Sequence, residues 1–279
     1  MTTTPAPTAA GFEPVPAAGV FAALDLLVLE RSGPVFHLRL NRPAKRNSIS
    51  DELLAQIHTV VVNLPKDVRV LVLSGAGEHF CAGLDLSEVS ERTVAEGMQH
   101  SRSWHRCFDA LQFGDVPVIA VLHGAVVGGG LELAASAHLR VAEDGTFYAL
   151  PEGTRGIFVG GGGSVRIPRL LGTSRMTDMM LTGRSFDADE GQAFGLSNYR
   201  VAAGEGLAKA LQLGLKIAGN APLSNYAITQ ALPRIADLPA ADGLFVESLM
   251  SSIAQGDEVA KERVRAFLEK RAAKVSRPS

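Results

Sequence analysis

The chain has 279 residues, of which 46% are hydrophobic and 20% charged, with a formal net charge of −2. This composition supplies a sizeable core and excludes a nucleic-acid surface, which needs concentrated positive charge. The two cysteines, Cys81 and Cys107, exclude a disulfide framework, and no apolar run approaches the roughly 20 residues that span a bilayer. We therefore expect a cytoplasmic protein with neither nucleic-acid nor membrane partners.

The N-terminal half predicts a short tail followed by a hairpin and a helix. Residues 1–20 are rich in Pro, Ala and Thr and lack the features of a signal peptide, so they are predicted to be a disordered tail. In residues 25–43, two apolar runs flank Ser32-Gly33-Pro34, which favours a β-hairpin. Residues 48–65 have helical spacing, with Ser48 or Ser50 as the N-cap.

Buried strands then alternate with helices. The segments "VRVLVLSG" (68–75) and "VPVIAVLHG" (116–124) are continuous aliphatic runs, typical of strands buried on both faces. Residues 103–114 predict a helix between them, and residues 131–142 should begin as a helix and end as a strand. This alternation predicts an α/β fold with parallel pairing.

The character of the sequence changes toward the C-terminus. From about residue 170 the helical segments have few strand signals between them. We therefore predict a mixed core over residues 21–200 and a helical region over residues 201–279.

The stretch "HGAVVGGGLELAAS" (123–136) interrupts an apolar run with three glycines and then places Glu132 directly after them. Glycine weakens a helix or a strand, and a buried carboxylate is costly without a partner. One interpretation is an ordinary turn before a helix, with a solvated Glu132 stabilised by the helix dipole. The other is a ligand site, because glycines let an oxyanion approach N–H groups at a helix N-terminus. These residues alone leave both interpretations open.

Two further stretches add to the second interpretation. The segment "SGAGEHFCAGLDLSEV" (74–89) also ends a buried strand with small residues, so it could donate a second N–H to the same oxygen. The segment "FYALPEGTRGIFVGGGGSVRIPRLLG" (147–172) contains Glu152 and four consecutive glycines, although a lone glutamate after proline is more typical of a surface. Neither a P-loop nor a Rossmann site is expected, since the required lysine and acidic partners are missing.

In this order and spacing, the segments resemble the crotonase (enoyl-CoA hydratase/isomerase) superfamily. The resemblance covers nearly the whole chain after the tail and is carried by "LNRPAKRNSIS", "FCAGLDL", "HGAVVGGGLELA", "LPEGTRGIFVGGGGSVRIPRLLG" and "LTGRSFDADEGQAFGLSN" with "AFLEKR". It implies a crotonase-like α/β spiral of ββα units with a helical C-terminal oligomerisation region. Val159 departs from the family pattern, which has proline there, and Arg155 stands where an aliphatic residue is common.

The resemblance also implies site residues. The backbone N–H groups of Leu84 and Gly129 would form an oxyanion hole for a thioester carbonyl, beside the catalytic pair Glu132 and Glu152. Asp85 matches a common family residue that is expected to fix the geometry of its loop. The positions implied in CoA binding are Ala44, Lys45, Arg46, Ala82, Phe267 and Lys270.

The glutamate pair favours hydration of a 2-enoyl-CoA to a 3-hydroxyacyl-CoA, with the assignment of acid and base left open. An enoyl-CoA isomerase, an acyl-CoA hydrolase and a non-catalytic CoA-binding subunit are the alternatives. The expected partners are an acyl-CoA substrate and further copies of the chain, as a homotrimer or a dimer of trimers. We expect no metal and no separate cofactor, because coenzyme A is part of the substrate.

Overall fold

The computed structural model describes residues 11–88 and 91–269. The chain divides into two compact units, of which the first ends at Ala218 and the second begins at Gly219. No helix in the described ranges combines the length and the hydropathy that crossing a bilayer requires.

In the described part of the chain, ten strands form two sheets. They are β1 (Glu13–Pro14), β2 (Leu27–Ser32), β3 (Val35–Leu40), β4 (Val70–Gly75), β5 (Val118–Leu122), β6 (Ala125–Val127), β7 (Leu139–Glu143), β8 (Phe147–Ala149), β9 (Ser185–Phe186) and β10 (Tyr199–Val201). The larger sheet has the order β1-β2-β3-β4-β5-β7-β10, and the smaller has the order β6-β8-β9. In the larger sheet, β1, β2 and β3 pair antiparallel, and the pairings β3-β4, β4-β5, β5-β7 and β7-β10 are parallel. In the smaller sheet, β6 pairs parallel with β8, and β8 pairs antiparallel with β9. The predicted hairpin and parallel pairing are therefore confirmed.

Ten α-helices accompany these strands within the described ranges. They are α1 (Asp51–Val62), α2 (Val94–Gln112), α3 (Gly129–Ala135), α4 (Gly163–Leu171), α5 (Thr173–Thr182), α6 (Ala188–Phe194), α7 (Gly206–Ala218), α8 (Pro222–Ile235), α9 (Ala240–Gly256) and α10 (Glu258–Leu268). Ser50, one of the two predicted caps, accepts a hydrogen bond from the backbone N–H of Leu53 and begins α1. Strands and helices alternate along the first unit, as the sequence predicts for an α/β fold.

The larger sheet is buried on both faces, which explains its continuous aliphatic strands. One face carries Leu71 and Leu73 into the main core together with residues of α1 and α2. The other face carries Val70 and Val72 into a second cluster that includes Ala210 of α7. The buried residues of β4 and β5 therefore fix the positions of the ends of these strands. The turns of the candidate site follow these strand ends.

The predicted disordered tail, residues 1–20, is corrected by the structure for residues 11–20. Glu13 and Pro14 form β1 against β2, and Phe12 is only 5% exposed, with its ring centroid 5.0 Å from that of His37. Composition gave the wrong result because a single well-placed aromatic side chain and a short strand pairing are enough to order this segment. The remainder of the predicted tail, residues 1–10, lies outside the described residues.

The division between the two units also differs from the predicted division after residue 200. α7 belongs to the first unit, because small residues let it approach the sheet closely: a Cβ atom on Gly214 would lie 3.1 Å from Cγ2 of Val35. The second unit contains α8, α9 and α10, and α9 packs against both of the others. Its helical character agrees with the pattern of the sequence.

Candidate active site

Two turns of the first unit bring two backbone N–H groups together. Cys81 donates its N–H to Ala125 O (3.0 Å), and Val127 donates its own to Cys81 O (3.1 Å), so the turn after β4 is bonded to the strand before α3. A Cβ atom on Gly129 would lie 3.6 Å from the nitrogen of Leu84. The two amides predicted as an oxyanion hole are therefore neighbours.

Neither of these N–H groups takes part in the backbone hydrogen bonds around it. The backbone N–H of Ile49 donates to Gly83 O (2.7 Å), and Ile49 O accepts from the N–H of Asp85 (2.9 Å). The N–H of Leu84, which lies between these two hydrogen bonds in the isolated bridge, does not take part in either of them. Gly129 is the first residue of α3, where a backbone N–H has no partner within the helix. Within the described residues, neither N–H has a hydrogen-bond acceptor.

Close packing explains the glycines around these amides. Gly83 and Gly128 have φ angles of +96° and +54°, a region that side-chain-bearing residues rarely adopt. A Cβ atom on Gly129 would lie 2.6 Å from Cζ3 of Trp104, and one on Gly130 would lie 2.2 Å from the carbonyl oxygen of Cys81. The glycines are thus required for the approach of the two turns.

Asp85 fixes the turn that carries Leu84. Its Oδ1 accepts from the Ser87 hydroxyl (2.7 Å), and its Oδ2 accepts from Nη2 of Arg42 (2.7 Å). Donation by Ser87, followed by that of Arg42, lowers the pKa of the Asp85 carboxyl to about 2. Arg42 also donates to Ser48 O (2.5 Å), which extends the bracing to the chain before α1.

Glu132 lies in the first turn of α3 with 3% of its surface exposed. Its Oε1 accepts hydrogen bonds from the N–H groups of Gly161 and Gly163, both at 2.8 Å. Burial raises the pKa of Glu132, and the two backbone N–H donors oppose that rise. The interpretation of Glu132 as a solvated surface carboxylate is therefore wrong.

Glu152 is also buried, with 6% of its surface exposed, so its interpretation as a surface residue is wrong as well. A Cβ atom on Gly128 would lie 3.0 Å from its Oε1, which places the carboxyl group beside the turn that begins α3. Its Oε2 is buried and has no hydrogen-bond partner among the described residues. Burial, with a further contribution from the charge of Glu132, raises the pKa of Glu152 to about 7.

Residues of α2 line the same region, although no motif in the sequence predicts this role. A Cβ atom on Gly161 would lie 2.9 Å from Cε2 of Phe108 and 3.1 Å from Cε3 of Trp104. The indole of Trp104 therefore separates Gly129 from Gly161. Helical spacing marks both aromatic residues as buried, but only the fold shows which loops they touch.

The implied CoA-binding residues fall into two groups. Ala44, Lys45 and Arg46 are exposed, and the carbonyl oxygen of Arg46 accepts from the N–H of Ala82 (3.0 Å), so this group adjoins the turn that carries Leu84. Phe267 lies on α10 of the second unit and is 69% exposed. Lys270 lies outside the described residues.

The described residues contain no group of three or more His, Cys, Asp or Glu side chains that could hold a metal ion. Burial raises the pKa of the Cys81 and Cys107 thiols to about 12, which makes both poor nucleophiles. The groups that this site offers for chemistry are its two carboxyl groups and its two unpaired N–H groups.

Comparison with known proteins gives consistent matches. The family model for enoyl-CoA hydratase/isomerase matches residues 30–277. The short-chain-enoyl-CoA hydratase of Clostridium acetobutylicum is 33% identical over 251 residues, which is 89% of this chain and 96% of that protein. The 2,3-dehydroadipyl-CoA hydratase of Escherichia coli is 34% identical over 249 residues, covering 88% of this chain and 96% of that protein.

Solved structures agree with these matches. The enoyl-CoA hydratase of Bacillus anthracis has a TM-score of 0.83 at 29% identity, covering 88% of this chain and 97% of that chain. A structure from Rhodopseudomonas palustris, assigned provisionally to the enoyl-CoA hydratases, has a TM-score of 0.86 at 55% identity and covers 90% of this chain and 98% of that chain. The crotonase-like α/β fold class is thereby confirmed.

Proposed function

The chain belongs to the enoyl-CoA hydratase/isomerase family, and we propose that it adds water across the double bond of a 2-enoyl-CoA thioester to give a 3-hydroxyacyl-CoA. The single observation that carries this proposal is the buried glutamate pair beside two unpaired N–H groups. Glu132 and Glu152 are both buried, and the charge of Glu132 acts on the pKa of Glu152. Hydration removes a proton from the attacking water and delivers a proton to Cα, and this pair can perform both transfers.

The N–H groups of Leu84 and Gly129 would bind the thioester carbonyl oxygen. As water adds at Cβ, negative charge develops on this oxygen in an enolate-like transition state. Two preorganised donors stabilise that charge more than they stabilise the neutral carbonyl. Loss of one such donor typically costs about 2.7–4 kcal/mol of transition-state stabilisation.

The glutamates would move the two protons of the reaction. Glu132, whose Oε1 accepts hydrogen bonds from two backbone N–H groups, would orient the water and, in its carboxylate form, accept its proton as the oxygen attacks Cβ. Glu152, whose pKa of about 7 keeps a protonated fraction near neutral pH, donates a proton to Cα. Proton exchange with solvent then restores the two starting forms.

The test is a panel of 2-enoyl, 3-enoyl and saturated acyl-CoA thioesters analysed by mass spectrometry. A mass gain of one water on the 2-enoyl substrates supports hydration. Conversion of 3-enoyl to 2-enoyl substrates without a change in mass would identify an isomerase. Release of free CoA would identify a hydrolase, and binding without turnover would identify a non-catalytic subunit. Glu132→Gln and Glu152→Gln should each lower crotonyl-CoA hydration by orders of magnitude while CoA binding persists, and undiminished turnover removes that residue from the mechanism.

We also propose that the chain assembles into a homotrimer or a dimer of trimers. The support is the large apolar side chains that α8, α9 and α10 leave exposed, among them Leu232, Leu244, Phe245 and Phe267. Light scattering at micromolar concentration measures the mass directly. A monomer there contradicts the proposed assembly without bearing on the proposed reaction.

A further inference from the structure

The loop of four glycines, Gly160–Gly163, holds Glu132, and two side chains from neighbouring helices hold this loop. We propose that Ser101 and Arg166 are positioning residues that fix the peptide groups of the Gly160–Gly163 loop and thereby set the orientation of Glu132. Neither residue is among those that the family resemblance implies for the site. For its kinetic consequences the inference rests on the proposed hydration.

Ser101 acts on the peptide group that binds Glu132. Its Oγ donates to the carbonyl oxygen of Gly160 (2.7 Å), and the N–H of Gly161 at the other end of the same peptide group donates to Glu132 Oε1 (2.8 Å). A hydrogen bond to the carbonyl polarises the peptide group and strengthens the donor at its opposite end. Ser101 therefore both aligns this N–H and increases its pull on the carboxylate.

Arg166 holds the next peptide group. Its Nη1 donates to the carbonyl oxygen of Gly161 (3.1 Å), and its Nε donates to Oε1 of Gln112 (2.6 Å). Its Nη2 pairs with Asp109 on α2, so the guanidinium binds α2 through two of its nitrogens and the loop through the third. The planar fork of arginine suits this task because each of its nitrogens has a separate acceptor.

The loop depends on these hydrogen bonds because its glycine residues do not restrict the conformation of its backbone. Gly162 has a φ of +95°, and a Cβ atom on Gly163 would lie 2.7 Å from Cγ of Glu132. Glycine loses more conformational freedom on folding than any other residue, and Val159 stands where the family pattern has a rigid proline. The hydrogen bonds from α2 and α4 supply the order that the loop sequence lacks.

The same contacts affect the charge state of Glu132. The charged groups that face it are Arg166 from α4 and Glu152 from the turn after β8, while Asp109 and His105 of α2 lie behind the loop. The loop N–H groups and the Arg166 cation lower the pKa of Glu132 against the effect of burial. Loss of either positioning contact should therefore favour the protonated, inactive form.

The experiment compares Arg166→Gln and Ser101→Ala with Arg169→Gln, an exposed arginine on the same helix that donates to its own helix through Val165 O. With crotonyl-CoA, both test variants should lose kcat, by on the order of 10- to 100-fold for Arg166→Gln, because a small misplacement of a catalytic group is costly. KM should change little, and the acid limb of the kcat/KM profile should move to higher pH. Arg169→Gln should retain the wild-type profile.

A second readout does not depend on turnover. The carboxyl carbon of Glu132 is titrated by ¹³C NMR in a Glu152→Gln background, with and without each test substitution. A higher midpoint in Arg166→Gln and Ser101→Ala supports the inference even if no enoyl-CoA is hydrated, in which case the proposed function alone fails. Unchanged midpoints, or an equal shift in Arg169→Gln, overturn the inference. If Arg166→Gln does not fold, Ser101→Ala decides, since it removes one hydroxyl from a half-buried position.

Discussion

A Cβ atom on Gly83 would lie 3.4 Å from the backbone nitrogen of Gly129, so the two turns that carry the candidate oxyanion-binding amides are in contact. A side chain at position 83 would occupy the space between these two turns. This relationship allows the amide pair to be tested without altering either amide itself.

Gly83→Ala should reduce the rate by roughly 10²–10³-fold, the effect of losing one oxyanion donor. The added methyl would lie 2.8 Å from Val127 O and intrude on the Gly129 N–H. Gly145→Ala is the matched control, because Gly145 also has a positive φ (+86°) but no atom within 4 Å of its Cβ position. Steady-state kinetics on both variants, with circular dichroism for folding, separates obstruction from backbone strain. Equal losses in the two variants would contradict the role of the amide pair.

Glu152→Gln should stabilise the protein at alkaline pH, by roughly 2 kcal/mol once partial screening by water is allowed for. Because the folded-state pKa of Glu152 is raised to about 7, the folded protein binds more protons than the unfolded chain between about pH 4.3 and 7. The free energy of unfolding of the wild type therefore falls as pH rises through that window, whereas the Glu152→Gln variant does not lose this contribution. Urea unfolding across this range measures the difference. A stability gain that is the same at low and high pH would rule out ionisation as its cause.

Two alanine substitutions in the Gly160–Gly163 loop should have opposite effects on stability. Gly160→Ala should raise the free energy of unfolding by about 0.4–1 kcal/mol, since its nearest neighbour, Oγ of Ser101, is 3.9 Å away and its φ is not positive. Gly163→Ala should lower it by about 1–3 kcal/mol and reduce turnover, because its methyl would displace Glu132. Denaturant titration of both variants provides the comparison, and similar effects at the two positions would contradict the packing described for Glu132.

Lys45→Ala and Arg46→Ala should raise KM for acyl-CoA with little change in kcat, because a phosphate contact remote from the reacting carbons stabilises the ground state and the transition state equally. Both residues are exposed, the backbone carbonyl of Arg46 accepts from the N–H of Ala82, and the effect of each substitution should shrink at high salt. Lys66→Ala, another exposed lysine of the first unit, is the control. A KM that is unchanged in Lys45→Ala and Arg46→Ala would remove this group from CoA binding.

Local signals in the sequence were sufficient for the sheet and for several helix ends. The aliphatic runs at β4 and β5, the turn at Gly33 and the cap at Ser50 depend on neighbours a few residues away, so periodicity and turn chemistry predict them. The position of α7 does not follow from such signals, because an amphipathic helix reads the same whether it packs on the sheet or on other helices.

The residues of the candidate site also fall into those that the sequence alone identifies and those that it does not. Its glycines and glutamates can be identified from the sequence because each is energetically unfavourable in its predicted local structure. Such conflicts between residue and structure concentrate at functional sites. Arg42, Ser101, Trp104 and Arg166 did not stand out, since each would be unremarkable on an ordinary helix or loop. Their roles come from contacts between segments distant in the chain, which only the fold reveals.

Trp104 is the one tryptophan of the chain, and its indole touches both the residue that begins α3 and the glycine loop. The tryptophan fluorescence of this protein, excited selectively over that of its three tyrosines, therefore originates at the candidate site. Titration of unlabelled thioesters can be followed through quenching or a spectral shift, which gives a dissociation constant even for variants that no longer turn over.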